Sequence, residues 1–202
     1  MREMLSTSKE TNFISIVIYI RNGQNEIKDF IDKISEIFEM HFEKYEVIFV
    51  NDASSDNSVS IIRENSKKFV NGMIQLVNMS FYQGIESSMK AGVDLSIGDF
   101  VFEIDNIRLL YENMIFWDVY KRCLEGYDIV NAVPVGNSNI SSKLFYHLFN
   151  KYTKGRYHLR TEAFRVLSRR AINRIDSISA TIPYRKAIYA ISGLNMTFIE
   201  FE

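Results

Sequence analysis

"FISIVIYIRNGQNEIKDFIDKISEIFEMHFEKYEVIFVND", residues 13–52, decides the fold. Its opening "FISIVIYI" is apolar and rich in β-branched Ile and Val, the pattern of a strand covered on both faces, and the polar "RNGQNE" ends it. Residues 25–41 then space Ile27, Phe30, Ile31, Ile34, Ile37 and Phe38 along one helical face, with Asn25 placed to cap the helix. "YEVIFVND" at 45–52 is a second apolar strand. A strand, a helix and a strand in this order form one crossover unit, with parallel strands and a right-handed connection.

The unit repeats outward. "SDNSVSIIRENSKKF" (55–69) opens on cap-forming residues and continues as a helix, with Asp56 or Asn57 as its cap, and "MIQLVNMS" (73–80) reads as the third strand. "GIESSMKAGVDLS" (84–96) reads as a helix and "DFVFEID" (99–105) as the fourth strand. "ENMIFWDVYKRCLEG" (112–126) and "YDIVNAVPV" (127–135) follow as helix and strand. Alternating strands and helices predict an α/β fold, a mostly parallel sheet with helices on both faces. Such sheets bind ligands at the carboxyl ends of their strands. That rule gathers Arg21–Gln24, Asn51–Ser55, Ser80–Gly84 and Asp105–Arg108 on one rim.

The bulk numbers exclude several classes. A chain of 202 residues with 24 basic and 25 acidic side chains, formal charge -1, has no overall field to recruit nucleic acid. The single Cys123 forms no internal disulfide, and His41, His147 and His158 are too far apart for a short metal-binding motif. No apolar run approaches the roughly 20 residues of a membrane span, and Met1–Lys9 lacks the hydrophobic stretch of a secretory signal, so the expected place is the cytoplasm, either free or at the inner face of the membrane. Fifteen Phe and eleven Tyr supply the core, with a surplus for contact with something apolar.

In "FVNDASSDNS" (49–58), Asp52 either makes a turn or accepts hydrogen bonds from a ligand such as a nucleobase or ribose. Together the segments resemble the family 2 glycosyltransferases of the GT-A fold, most closely the branch that acts on dolichyl phosphate and polyprenyl phosphate. "VIYIRNGQNEI" is similar to that family's V-I-P-V-Y-N-E, with Asn22 on the family's Asn, and "FVNDASSDNS" is similar to V-D-D-G-S-T-D. "GIESSMKAGVDLSIGDFVFEID" resembles the stretch that runs into the family's D-x-D, and "EAFRVLSRRAINRI" resembles D-F-R-L and the following Ser-Arg-Arg. The resemblance implies a Rossmann-like GT-A sheet, with residues 1–140 binding a nucleotide sugar and 141–202 forming the acceptor side and closing segment of the same domain.

It also implies roles. Asn22, Asp52, Gly84 and Asp105 hold the nucleotide-sugar donor, Asp105 holds Mg²⁺ or Mn²⁺ against the diphosphate, and Arg165 binds an acceptor phosphate or makes a structural ion pair. The acceptor is a polyprenyl phosphate or another glycan. The chain departs from the family at six places: "DNI" replaces D-x-D and leaves Ile107 in the second acidic place, Tyr19 replaces Pro, Arg21 replaces Tyr, Gly23 replaces Glu, Ala163 replaces the Asp before Phe-Arg, and a basic loop after "YDIVNAVPV" is missing. Glu162 is then the remaining candidate for a catalytic carboxylate, or a partner of Arg160 or Arg165. Arg21 and Arg108 either supply positive charge to a diphosphate or are surface residues, and Lys90 reads as solvated.

In "SSKLFYHLFNKYTK" (141–154), Leu144, Phe145, Leu148, Phe149 and Tyr152 share a helical face edged by Lys143, Lys151 and Lys154. The face is either core or, through 142–152, a contact with a membrane surface. A second functional class stays open: a degenerate member that keeps the fold and serves as a binding or assembly partner.

Overall fold

The computed structural model describes residues 8–108, 114–136, 160–178 and 184–202. The expected order is present: β1 (Ile14–Ile20), α1 (Ile27–His41), β2 (Tyr45–Asn51), α2 (Ser58–Asn65), β3 (Gly72–Asn78), α3 (Ile85–Leu95), β4 (Phe100–Ile104), α4 (Met114–Leu124) and β5 (Ile129–Pro134). Beyond it lie β6 (Phe164–Ser168), α5 (Arg169–Ile178), α6 (Arg185–Ile191) and β7 (Met196–Phe201). One seven-stranded sheet takes the order β3-β2-β1-β4-β6-β5-β7.

Neighbours β3-β2-β1-β4 run parallel, as do β5 and β7, and β6 alone is antiparallel to both β4 and β5. Because β6 runs backwards, its first residues lie at the edge where β4 ends, and Arg165 is in register with Glu103. This reversal brings the "EAFR" segment to the rim.

Alternate residues of each strand feed opposite cores. Ile14, Ile16 and Ile18 of β1 pack with Val47, Phe49 and Phe102 beneath α1 and α4, whose Ile31, Ile34, Phe38, Phe116 and Val119 complete that layer. Val17, Ile48, Val50 and Val101 face the other way, against Met89 and Val93 of α3, Ile172 and Ile175 of α5, and Tyr189 of α6. A strand with both faces apolar has no energetically acceptable edge in water, so its all-buried sequence forces helices on both sides.

Helix starts differ from the sequence reading. α1 begins at Ile27 with Glu26, not Asn25, in the cap position and no side-chain cap; the Gly23 carbonyl accepts the N–H of Glu26 and of Ile27 instead. At α2 it is Asp56 that accepts the Ser58 N–H, at 3.0 Å. The Leu144–Tyr152 face, His147 and His158 lie outside the described residues. No described helix is long and apolar enough to cross a membrane.

Candidate active site

The rim has two corners, one on each side of β1. At the first, β2 ends and the chain enters a turn through Ala53 in the left-handed region (φ 51°). The Asp52 side chain is fully buried. Its Oδ1 accepts the Gln83 N–H at 2.8 Å, and its Oδ2 accepts the Gly84 N–H at 3.0 Å and the Tyr19 hydroxyl at 2.9 Å. Burial and the neighbouring carboxylate push the Tyr19 hydroxyl well above its ordinary value, so it stays a proton donor. Gly84 itself sits at φ 84°, where a side chain is strained, so the residue that lets the loop offer both N–H groups to Asp52 is a glycine.

Asn22 is also in the left-handed region, at φ 49°. Its Oδ1 accepts the Ser55 N–H at 2.9 Å, and its own N–H donates to Ser54 Oγ at 3.0 Å. The Asn, Asp and Ser cluster therefore stitches the loops after β1, β2 and β3 together, which is the turn-making alternative for Asp52. Arg21 donates from Nη1 to the Asp52 carbonyl at 2.6 Å and lies over the Tyr82 ring, 4.0 Å from its centroid. Phe81 and Tyr82 are both exposed there.

The second corner is ionic. Asp105 follows β4, one strand beyond β1 from Asp52, which places the two strand ends about 10 Å apart at the usual inter-strand spacing. Asp105 Oδ2 accepts Arg165 Nη2 at 3.0 Å and Oδ1 accepts Arg185 Nη2 at 2.8 Å. Beneath it the fully buried Glu103 accepts Nη1 of both arginines through Oε2, and the Tyr189 hydroxyl through Oε1 at 2.7 Å. Arg165 Nε reaches Glu162 at 3.1 Å, Arg185 Nε reaches Glu86 at 2.8 Å, and Lys186 Nζ lies 3.6 Å from Glu162.

Burial by itself would raise the Asp105 carboxyl; the Arg165 and Arg185 guanidiniums outweigh it and hold Asp105 well below the usual carboxylate range. The same contacts keep both arginines charged against the cost of their own burial.

These contacts place each expected site residue. Arg165, 1% exposed with every nitrogen on a carboxylate, makes the structural ion pair and is not presented to an acceptor phosphate in this structure. Glu162, 3% exposed, takes the pairing alternative, with Arg165. Arg160 pairs instead with Glu200. Asp105 and Arg165 meet; Asp52 and Gly84 meet at the other corner, and Asn22 joins it through Ser54 and Ser55. Lys90, read as solvated, pairs with Asp94 and Asp176, and exposed Arg108 pairs with Glu26. Ala163 is buried in the core, its N–H on the Ala132 carbonyl.

Glu103, Glu86, Arg185 and Tyr189 were not singled out by sequence reasoning. A Glu inside the otherwise apolar "FVFEID" was the available signal, since a charge in a strand buried on both faces demands a partner.

In the family pattern Ile107 takes the second acidic place; here its side chain packs against the core, and a Cβ added at Gly23 would lie 2.7 Å from Ile107 Cδ1. Two departures from the pattern thus fill one space with hydrocarbon. Both Asp105 oxygens are taken by Arg165 and Arg185, and a cation about 4 Å from either guanidinium is repelled by about 4 kcal/mol per unit charge at an effective dielectric of about 20, so the two arginines oppose an added cation at Asp105 although the wider cluster sets Glu86, Glu103, Asp105 and Glu162 against Arg165, Arg185 and Lys186. Among the described residues no group of three metal-ligating side chains converges. These residues do not fit a protein-held divalent cation.

Residues 15–106 match the family described as Glycosyl transferase family 2. Curated proteins similar to this chain include an uncharacterized glycosyltransferase of Synechocystis, 27% identical over 195 residues, covering 94% of this chain and 60% of the relative. The bactoprenol glucosyl transferase of Shigella phage SfX is 25% identical over 194 residues, covering 93% and 63%. The chain spans about six-tenths of the length of these relatives.

Among solved structures, a mannosyltransferase from Pyrobaculum calidifontis in complex with GDP-Man and Mn²⁺ aligns with a TM-score of 0.73 at 14% identity, over 95% of this chain and 55% of that one. Glucosyl-3-phosphoglycerate synthase from Mycobacterium tuberculosis with Mn²⁺, UDP-glucose and phosphoglyceric acid aligns at 0.67 and 14%, over 94% and 70%. The fold of this chain is the GT-A fold expected from its sequence.

Proposed function

We propose that the chain is a glycosyltransferase domain that moves a hexosyl group from a nucleoside diphosphate sugar to a polyprenyl phosphate or glycan acceptor. The observation that carries this reading is the rim itself: loops from β1, β2 and β3 tied around Asp52 beside a fixed ionic floor at Asp105, on a sheet whose fold neighbours bind nucleotide sugars. Asn22, Asp52 and Gly84 shape the nucleotide side, and Asp105 with its arginines forms the floor under the diphosphate. Residues 1–140 are the donor part and 141–202 the acceptor side, and the sequence of 142–152 suits contact with a membrane surface.

In the transfer, an acceptor oxygen forms a bond to the anomeric carbon as the bond from that carbon to the diphosphate oxygen breaks, and the diphosphate leaves with the electron pair. A phosphate acceptor is already ionised near neutral pH and needs no strong base, which accommodates Ala163. The bactoprenol glucosyl transferases among the relatives favour such a lipid-phosphate acceptor.

Isothermal titration with UDP-glucose and GDP-mannose tests the donor site, with saturable binding of one of them expected. Absence of binding to both, in a folded sample, removes the reading. Ile107 packed on Gly23 and the buried Ala163 favour a second one, a non-catalytic partner of an active transferase. Donor binding without any transfer to polyprenyl phosphate, with Ala163→Asp restoring turnover, would select it.

A further inference from the structure

We propose that this chain takes its nucleoside diphosphate without a divalent cation, with Arg21 supplying positive charge at the rim and Asp105 acting as a clamp for Arg165 and Arg185. The inference rests on the donor reading above and concerns how that same site meets the diphosphate.

Two independent features carry it. Ile107, in the place where a second acid would stand, lies against Gly23 and the core, so any carboxylate there would have to displace packed hydrocarbon. Asp105, the remaining acid, has a guanidinium on each oxygen, and both guanidiniums are anchored from below by Glu103 and from the side by Glu162 and Glu86. That lattice fixes the arginines on carboxylates and occupies both Asp105 oxygens with guanidinium N–H groups, which a metal ion would have to displace.

Positive charge for a diphosphate has to come from elsewhere on the rim. Arg21 extends directly from the end of β1, the strand between the two corners. It is exposed, held by the Asp52 carbonyl at 2.6 Å and laid over Tyr82, so its guanidinium is fixed at the surface rather than swinging in water. A positioned guanidinium binds phosphate oxygens through paired N–H groups without a metal.

The first test uses Mn²⁺ alone, followed by loss of the free-ion electron paramagnetic resonance signal on adding protein. No saturable binding is expected; a stoichiometric site that disappears in Asp105→Asn overturns the proposal. The second test repeats the titrations with UDP-glucose and GDP-mannose in EDTA and in Mn²⁺. The dissociation constant is expected to agree within about twofold, and Arg21→Gln to weaken binding by about tenfold or more in both conditions. Binding that appears only with Mn²⁺, or an unchanged affinity in Arg21→Gln, overturns it. Should neither donor bind in either condition, the donor reading fails, while the Mn²⁺ measurement still decides the metal question.

Discussion

The two corners of the rim are built by different physics. The Asp52 corner is held by neutral donors: one carboxylate gathers the Gln83 and Gly84 N–H groups from the loop after β3 and the Tyr19 hydroxyl from β1. The Asp105 corner is held by charge, with Arg165, Arg185 and Lys186 set among Glu86, Glu103, Asp105 and Glu162. A neutral-donor corner is locally adjustable, because each lost hydrogen bond affects one loop. A buried ionic lattice is all or nothing, because removing one member leaves the others charged and unpaired in a medium that solvates them poorly.

Perturbing each corner separately sharpens that contrast. The largest effect is expected from Arg185→Met, which strips a cation from Glu86, Glu103 and Asp105 together; a loss of about 3–5 kcal/mol in urea unfolding is the expected scale for breaking a buried pair. A loss below about 1 kcal/mol would mean that the lattice is wetter and looser than the contacts imply.

Next comes Asp52→Ala, which orphans the Gln83 and Gly84 N–H groups, for about 1–3 kcal/mol of stability and faster amide exchange confined to the loop at 81–84. If exchange rises over the whole sheet instead, the corner is not local.

The corners also separate by pH. Folding depresses the Asp105 carboxyl, so the folded chain binds fewer protons there than the unfolded one. The stability this contributes is full above the unfolded value of about 3.9 and declines as pH falls through the folded value. Asp105→Asn should therefore flatten the acid limb of the unfolding midpoint measured from about pH 5 downward. The smallest effect is assigned to Arg108→Ala, whose pair with Glu26 is largely exposed; a change within about 0.5 kcal/mol is expected.

Much of this was legible in the residues. The apolar runs of β1 to β5 and the helical spacing of α1 and α3 follow from local periodicity, and the polar rim follows from where those runs stop. The helix starts were less legible, since the Gly23 carbonyl takes over the capping role expected of Asn25. For Asp52, local sequence allowed a turn or a ligand contact, and only the approach of residues 83 and 84 reveals which groups its oxygens meet. For Arg165, the choice between a phosphate and an ion pair depended on Glu103, which the sequence places 62 residues away.

The order of strands and helices, the edge where polar turns collect and the missing acids at 107 and 163 were thus determined by the sequence alone, because each depends on neighbours a few positions apart. The reversal of β6, the register that sets Arg165 beside Glu103, and the arrival of Arg185 on Asp105 were decided by the tertiary structure. Hydrophobic periodicity acts along the chain and can be read from it. A buried charge takes its partner from whatever the sheet topology brings within hydrogen-bonding distance, and that distance exists only once the strands have paired.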